Sequence, residues 1–421
     1  MDKGKTMVLG LGVSGLAAAD LLSKFGTRIR VYDDTVKSSK YEFSDSLDDI
    51  DIVVVSPGIP YDHRILKESR ERRIHIMSEL ELGASFIEND KIAITGTNGK
   101  TTTTLLVTEI LKEAGFNAIA MGNIGDPVCK YALKMNKNDI AVIEVSSFQL
   151  ETTNYFQPKV AAIINIAPDH LDRHKGYEDY ISTKLRIFSD LTTMQKAVVN
   201  YDYKILREFA PSIKAPVTYF SSEFKVRGCY VQNDNIYYNG YVCGVEDLAM
   251  KEPFTLENIL CALSICLPYG VSASTARKVL MRFTPPEYRM SNRGMLGGKK
   301  YINDSKGTNI HSTLAACKAV SGETALILGG SDKGEDFKEL FSNLPEYIKY
   351  VLVTGENAPK IMASADKCGY EQISVYGTLS EVMDKARTLD VSVVLFSPAS
   401  ASFDRYTNYI ERGKVFDSLL C

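Results

Sequence analysis

An α/β protein of three consecutive domains is what this sequence predicts, and three observations predict it. The chain has 421 residues, more than one hydrophobic core ordinarily serves. Short β-rich apolar runs alternate with helical patterns at both ends of the chain, the order that builds parallel sheets. Two glycine turns stand where a strand gives way to a helix, at Gly10–Gly15 and at Gly96–Gly99. The first turn makes the N-terminal domain Rossmann-like, the second makes the central domain of the P-loop ATPase kind, and a further alternating block makes the C-terminal domain Rossmann-like. Boundaries fall at polar or proline-rich breaks, giving domains at 1–89, 90–285 and 286–421, with Glu88-Asn89-Asp90 and Pro285-Pro286 as the joints.

The N-terminal block reads as strand Thr6 to Leu9, the turn Gly10-Leu11-Gly12-Val13-Ser14-Gly15, helix Leu16 to Phe25, and strand Arg28 to Tyr32 ending in Asp33-Asp34. G-x-G-x-x-G followed by an acidic residue is the dinucleotide fingerprint. Taken alone it favours NAD or FAD. Physically it specifies only a close approach of backbone to a phosphate, so a nucleotide-sugar diphosphate suits it too. Strand Ile52 to Val55 ends in Ser56-Pro57-Gly58, at the carboxyl edge where open α/β sheets bind ligands.

The central block opens on Ile92 to Ile94 and the loop Gly96-Thr97-Asn98-Gly99-Lys100-Thr101-Thr102, with a helix through Ala114. Strand, loop and helix start in that order bind a triphosphate, because loop amides and the helix dipole face it. Lys100 can reach the outer phosphates and the Thr101 hydroxyl can sit on Mg²⁺. Beyond Gly122-Asn123-Ile124-Gly125 comes strand Ile140 to Val145, carrying Glu144, a metal ligand or a capped strand end. Strand Val160 to Ile166 leads into Asp169-His170-Leu171-Asp172-Arg173. His170 is one of five histidines and stands just past a strand end. Helix Tyr177 to Asp190 carries Lys184, by pattern a solvated residue. Gly228 to Gly244 reads as hairpins, and helices around Asn258 to Leu267 and Ala273 to Phe283 close the block. Asn258 is a core amide or a nucleobase contact.

In the last block Asn303-Asp304-Ser305-Lys306-Gly307-Thr308-Asn309, Gly329 to Gly334 with Lys333, and Ser397 to Phe403 with Ser402 lie at strand ends or helix starts. Two lysines and several hydroxyls on one edge suit a small anionic substrate. The strands are Ala325 to Leu328, Tyr350 to Val353 and Ser392 to Phe396, and a helix closes the chain.

Composition narrows the function. A net charge of −3 offers no footprint for nucleic acid or anionic membrane. The Met7 to Leu22 run is broken by glycines and Asp20, so a cytoplasmic protein with neither signal peptide nor membrane span is expected. The eight cysteines form no C-x-x-C pair, and Cys261 and Cys266 read as small core residues.

Together these motifs resemble the Mur ligase family, the ATP-dependent amide-forming enzymes of peptidoglycan precursor synthesis. G-T-N-G-K-T is shared by the family, whereas N-D-S-K-x-T-N with S-P-A-x-A-S-F-D resembles its D-glutamate-adding members. The resemblance implies a uridine diphosphate at Val13, Ser14, Asp33, Asp34, Ser56, Gly58 and Asn123. It implies ATP at the phosphate loop with Asn258, Arg289 and Asp304, and D-glutamate at Lys306, Thr308, Lys333, Ser402 and Tyr409. It implies Mg²⁺, with Mn²⁺ as the alternative ion, at Thr101, Glu144, His170 and a carbamoylated Lys184. The expected substrates are UDP-N-acetylmuramoyl-L-alanine and D-glutamate, acting on a monomer. Phe254-Thr255 stand where the family often has His-Asn, and Tyr409 where phenylalanine is common. Other amide ligases of the family, including one like folylpoly-γ-glutamate synthase, remain alternatives. So do a nicotinamide-dependent oxidoreductase and a nucleotide-binding regulator.

Overall fold

The computed structural model describes residues 5–37, 40–171, 173–250 and 253–420. Asp172 and the side chain of Phe254, both noted in the sequence, lie outside the described residues. Among these residues there are three sheets. The first contains β1 (Lys5–Leu9), β2 (Arg28–Tyr32), β3 (Glu42–Phe43), β4 (Ile50–Val55) and β5 (His75–Ser78) in the order β3-β2-β1-β4-β5, all parallel. The chain reverses its direction of winding between β1 and β4, so the turns after those two strands flank a switch point.

The second sheet contains β6 (Lys91–Thr95), β7 (Asn117–Gly122), β8 (Asp139–Glu144), β9 (Val160–Ile163), β10 (Lys196–Asn200), β11 (Val217–Ser221), β12 (Gly228–Gln232), β13 (Asn235–Tyr237) and β14 (Tyr241–Gly244). Its order is β14-β13-β12-β11-β10-β9-β6-β8-β7, parallel from β7 to β12 and antiparallel beyond. All six residues of β8 are buried, the continuous pattern of a strand covered on both faces. Helix Lys100–Glu113 starts with a threonine run of modest helix propensity. Its stability comes from packing: Leu106, Val107, Ile110 and Leu111 are fully buried in one core with Ile92, Ile94, Ile140 and Val142.

The third sheet contains β15 (Ser291–Leu296), β16 (Lys299–Asn303), β17 (Thr324–Leu328), β18 (Ile348–Val353), β19 (Ile373–Val375) and β20 (Val393–Phe396), in the order β15-β16-β20-β17-β18-β19. Within this sheet the described β15–β16 pair is antiparallel and the other described pairs are parallel.

The chain divides into two compact units. One comprises Met1–Ile166, Glu178–Lys251 and Thr255–Phe283 and so holds the first two sheets; the other comprises Ala167–Tyr177, Glu252–Phe254 and Thr284–Cys421 and holds the third. The segment with His170 thus packs with the later unit, although the sequence places it in the central block. The helix expected through Asp190 ends at Leu185 and tightens into a 3₁₀ turn, Arg186–Phe188. Cys261 and Cys266 are fully buried in the central core, and burial pushes both thiols up. Among the described residues no helix is long and apolar enough to cross a membrane.

Candidate functional site

At the first glycine turn the backbone conformation explains the residue choice. Gly10 has φ 91°, left-handed territory, and a Cβ on Gly15 would run into the Gly10 carbonyl. Helix Val13–Lys24 can therefore lie close against the end of β1. The Ser56 hydroxyl donates to the Gly10 carbonyl at 2.9 Å, tying the turn after β4 to the turn after β1. Asp33 accepts from the Leu11, Thr35 and Val36 amides at 2.7, 2.8 and 2.9 Å. Partial burial pushes its carboxyl up, but these bonds outweigh it and bring the pKa down to about 2. Asp34 pairs with His63 Nε2 at 3.0 Å. Val13 is 70% exposed at the first turn of the helix, Ser14 is half-buried beside it, and Gly58 is exposed.

The phosphate loop follows β6 as the sequence predicts. Gly99 takes φ 80°, and the helix begins at the next residue, Lys100. A Cβ at Gly99 would collide with Asn258 Oδ1, so Asn258 lies against the loop itself; its Oδ1 also accepts the Thr103 hydroxyl at 3.4 Å. Both contacts belong to the phosphate loop and its helix. Asn165 holds the loop from beneath: its carbonyl accepts the Thr97 N–H at 3.1 Å and its Oδ1 accepts the Asn98 N–H at 2.9 Å. The Asn165 amide nitrogen donates to Glu257 at 3.0 Å, and Tyr203 donates to the other Glu257 oxygen at 3.2 Å. Burial pushes Glu257 up to about 7 despite these donors.

Two ammonium groups meet on one carbonyl of this loop. Lys100 Nζ donates to Gly96 O at 2.9 Å and Thr97 O at 2.8 Å, and Lys184 Nζ donates to the same Gly96 O at 2.9 Å. Lys184 is 1% exposed and its Nζ lies 4.7 Å from the centre of the Tyr180 ring, whose hydroxyl bonds Thr97 Oγ1 at 3.0 Å. The solvated lysine that the pattern suggests is therefore a buried one. Glu144, 2% exposed, accepts Asn123 Nδ2 at 2.7 Å on one oxygen, while its other oxygen is buried with no hydrogen-bond partner. A buried carboxylate oxygen left unpaired is costly unless a cation meets it. Thr101 is half-buried at the helix start, and the Thr102 hydroxyl beside it is also buried without a partner.

In the later unit the three strand-end loops converge as expected. Ser397 Oγ donates to Asp304 at 2.7 Å, Gly329 N–H donates to Pro398 O at 2.9 Å, and Ser331 N–H donates to Ala401 O at 2.9 Å. Burial pushes Asp304 up to about 6, against the Ser397 and Met290 donors and the nearby Arg289 charge. Lys333, one of the two lysines expected on this edge, is held in place. It is 7% exposed, 3.2 Å from Asp169 Oδ1 and 3.2 Å from Thr308 O. Asp169 also accepts Asn309 Nδ2 at 3.0 Å and the His170 N–H at 2.9 Å, and His170 sits at φ 55° with Nε2 3.8 Å from Asp169. Asn309 at the same time caps helix Ile310–Ala319 through Ser312. Lys306 Nζ stands 3.9 Å from the centre of the Tyr409 ring, Tyr409 opens the last helix, and Ser402 is buried. Arg412, 2% exposed, donates to Ser305 and to the Ser400 and Ala401 carbonyls, locking the loop that carries Ser402.

The structure thus brings Glu144 with Asn123, Lys100 with Lys184, Asn258 with Gly99, and Lys333 with Thr308. Glu144 and Lys184 belong to the first unit and His170 to the second. Sequence reasoning missed Asn165, Glu257, Tyr180 and the buried role of Asp169. Tyr180 alone left a local signal, four residues before Lys184 on one helix face.

Comparison with known proteins agrees with this architecture. Residues 94–265 match the Mur ligase middle domain, and 288–400 match the Mur ligase glutamate ligase domain. A UDP-N-acetylmuramoylalanine–D-glutamate ligase of Caldicellulosiruptor bescii is 37% identical over 98% of this chain and 97% of its own. One of Koribacter versatilis is 36% identical over 99% and 97%. Among solved structures, MurF of Thermotoga maritima in complex with ADP is similar with TM-score 0.63 at 17% identity, covering 99% of this chain and 95% of that one. MurC of the same organism gives 0.61 at 18%, covering 98% of each. With near-complete coverage by such relatives, the chain belongs to the Mur ligase family.

Proposed function

We propose that this protein is an ATP-dependent ligase that joins D-glutamate to UDP-N-acetylmuramoyl-L-alanine through an acyl phosphate, as a cytoplasmic monomer. The observation that carries the reading is the phosphate loop: a left-handed Gly99 opening a helix, with Lys100 and the buried Lys184 on the Gly96 carbonyl. The names of the 36–37% identical relatives support the choice of substrates. In this reading residues 1–89 hold the uridine nucleotide, 90–285 hold ATP, and 286–421 hold the amino acid.

The alanyl carboxylate attacks the γ-phosphate in line, the bond to the bridging oxygen breaks, ADP leaves and the acyl phosphate forms; two anionic groups must meet for this. Lys100 turns from its loop carbonyls to the phosphate oxygens, and the loop amides around it are already fixed by Asn165, so little reorganisation is needed. Glu144, His170, Thr101 and Lys184 as a carbamate would hold Mg²⁺ or Mn²⁺. The fit is supported by the unpartnered Glu144 oxygen and by the crowding of Lys184 against Lys100. An anionic carbamate relieves that crowding and adds an oxygen ligand. When bound, the ion neutralises charge on the phosphates. The amine of glutamate then attacks the acyl carbon and phosphate leaves. Lys306, Thr308, Lys333, Ser402 and Tyr409 receive the amino acid, Lys333 arriving with its position set by Asp169. Asn258, Arg289 and Asp304 serve ATP, and Asn258 does so by shaping the loop. Val13, Ser14, Asp33, Asp34, Ser56, Gly58 and Asn123 serve the uridine diphosphate, with Asp33 and Ser56 holding the turn's shape.

The test is phosphate release and amide formation from ATP and UDP-N-acetylmuramoyl-L-alanine with D-glutamate, L-glutamate, L-lysine or meso-diaminopimelate in separate reactions. Product with D-glutamate alone is expected. Product with lysine or diaminopimelate and none with D-glutamate overturns the assignment.

A further inference from the structure

Along the open edge of β5 the first unit has a cleft of about 440 Å³, a volume that suits a small molecule. One wall comes from Tyr61, Arg70, Arg73 and His75 and the other from Glu151 and Arg186. Three guanidinium groups therefore reach one space, in a chain whose acids outnumber its bases by 52 to 49. Elsewhere its arginines commonly pair with carboxylates, as Arg30 does with Glu42 and Arg282 with Glu113. These three do not: among the described residues none of them lies within ion-pair distance of an acid. Arg70 donates to the Tyr61 carbonyl at 2.6 Å and stacks on the Tyr61 ring at 3.8 Å. Arg186 donates to the Thr153 carbonyl at 2.6 Å and to Asn154 Oδ1 at 3.2 Å. Both are thus held in place by neutral acceptors that leave their charge uncompensated.

Arg73 adds an independent sign. It follows the Arg72 cap of helix Arg64–Glu71 and takes φ 57°, a position at which glycine is the easy choice. Strain of this kind at a residue lining a cleft points toward function.

We propose that this cleft binds a small polyanion carrying at least two phosphate or carboxylate groups, received by Arg73 and Arg186 from opposite walls, with Arg70 on the Arg73 side. Planar forks matched to such oxygens are what guanidinium groups supply. Glu151, on the same wall as Arg186, repels anions, so the ligand's anionic groups lie away from it. A ligand here bridges the first-sheet wall to the 151–154 loop, beside the Ser78–Thr153 and Asn154–Ile76 hydrogen bonds that already join them.

The test is calorimetric titration of the full chain with inorganic pyrophosphate and, separately, citrate, which distinguishes phosphate from carboxylate recognition. It is repeated in Lys100→Ala, so that binding at the phosphate loop is told apart. The expected result is a site that survives Lys100→Ala, weakens with salt, and loses tenfold or more affinity in Arg73→Ala and in Arg186→Ala. Arg73→Ala removes no hydrogen bond made within the protein, so its melting temperature stays close to wild type and the loss reads as binding. Failure of both anions at millimolar concentration, equal binding in the double arginine variant, or loss in Lys100→Ala alone overturns the proposal.

Discussion

Glu79→Gln is a sharp test of the energetics at the seam between the first two sheets. Glu79 opens helix Glu79–Ser85 and is 0% exposed. One oxygen accepts the Cys129 N–H at 2.7 Å, and the other is buried with no partner. Burial raises its pKa from 4.5 to about 7, against the Cys129 bonds. The folded protein therefore holds this proton more tightly than the unfolded chain does. The contribution to stability is complete below the unfolded value of 4.5 and is lost as pH rises through about 7. At about 1.36 kcal/mol per unit, the loss is on the order of 3 kcal/mol. Glutamine keeps the acceptor for Cys129 but buries an amide N–H₂ without a partner, a cost of about 1–3 kcal/mol that does not change with pH. Urea denaturation of both proteins from about pH 5 to about pH 8.5 measures the difference. The wild type is expected to be the more stable at low pH, with its advantage shrinking by roughly 3 kcal/mol and closing or reversing at high pH. A difference that stays constant across that range refutes the reasoning.

Three further outcomes follow from the candidate site. Lys184→Ala should be nearly inactive with its activity partly restored by acetate or formate, which would stand in for the proposed carbamate; undiminished activity without additive rules that carbamate out. Asn165→Ala removes the side-chain acceptor of the Asn98 N–H and one of the two donors to Glu257, about 1–3 kcal/mol each, and should raise the KM for ATP; an unchanged KM means the loop does not need this support. Lys333→Ala removes the Lys333 ammonium from buried Asp169, which keeps its Asn309 and His170 donors, and should destabilise by about 1–3 kcal/mol, much of which Lys333→Ala/Asp169→Asn recovers. If denaturation finds the single variant as stable as wild type, the pair has no structural part.

Local physics made much of this protein legible from its residues. The two glycine turns, the start of the helix at Lys100 and strand β2 are set by backbone freedom and by runs of apolar residues, which act within a few positions of sequence. Family membership was legible for the same reason, since the phosphate loop and the strand-end motifs are contiguous strings. Edge and polar-ended elements were not. The two-residue β3, strands β7, β10 and β11, and the short helix Glu79–Ser85 draw their stability from neighbours supplied by distant segments. The long-range contacts of the site were equally hidden. Lys184 looks solvated on its helix until Gly96, 88 positions away, accepts its ammonium. Asn165 and Glu257 are 92 positions apart, and only folding makes them the support of the loop. Asp169 fixes the Lys333 ammonium across 164 positions. A motif specifies which groups are present and the backbone they ride on; where a buried charge finds its partner is decided by packing, because desolvation makes an unpaired group too costly to leave where local sequence alone would put it.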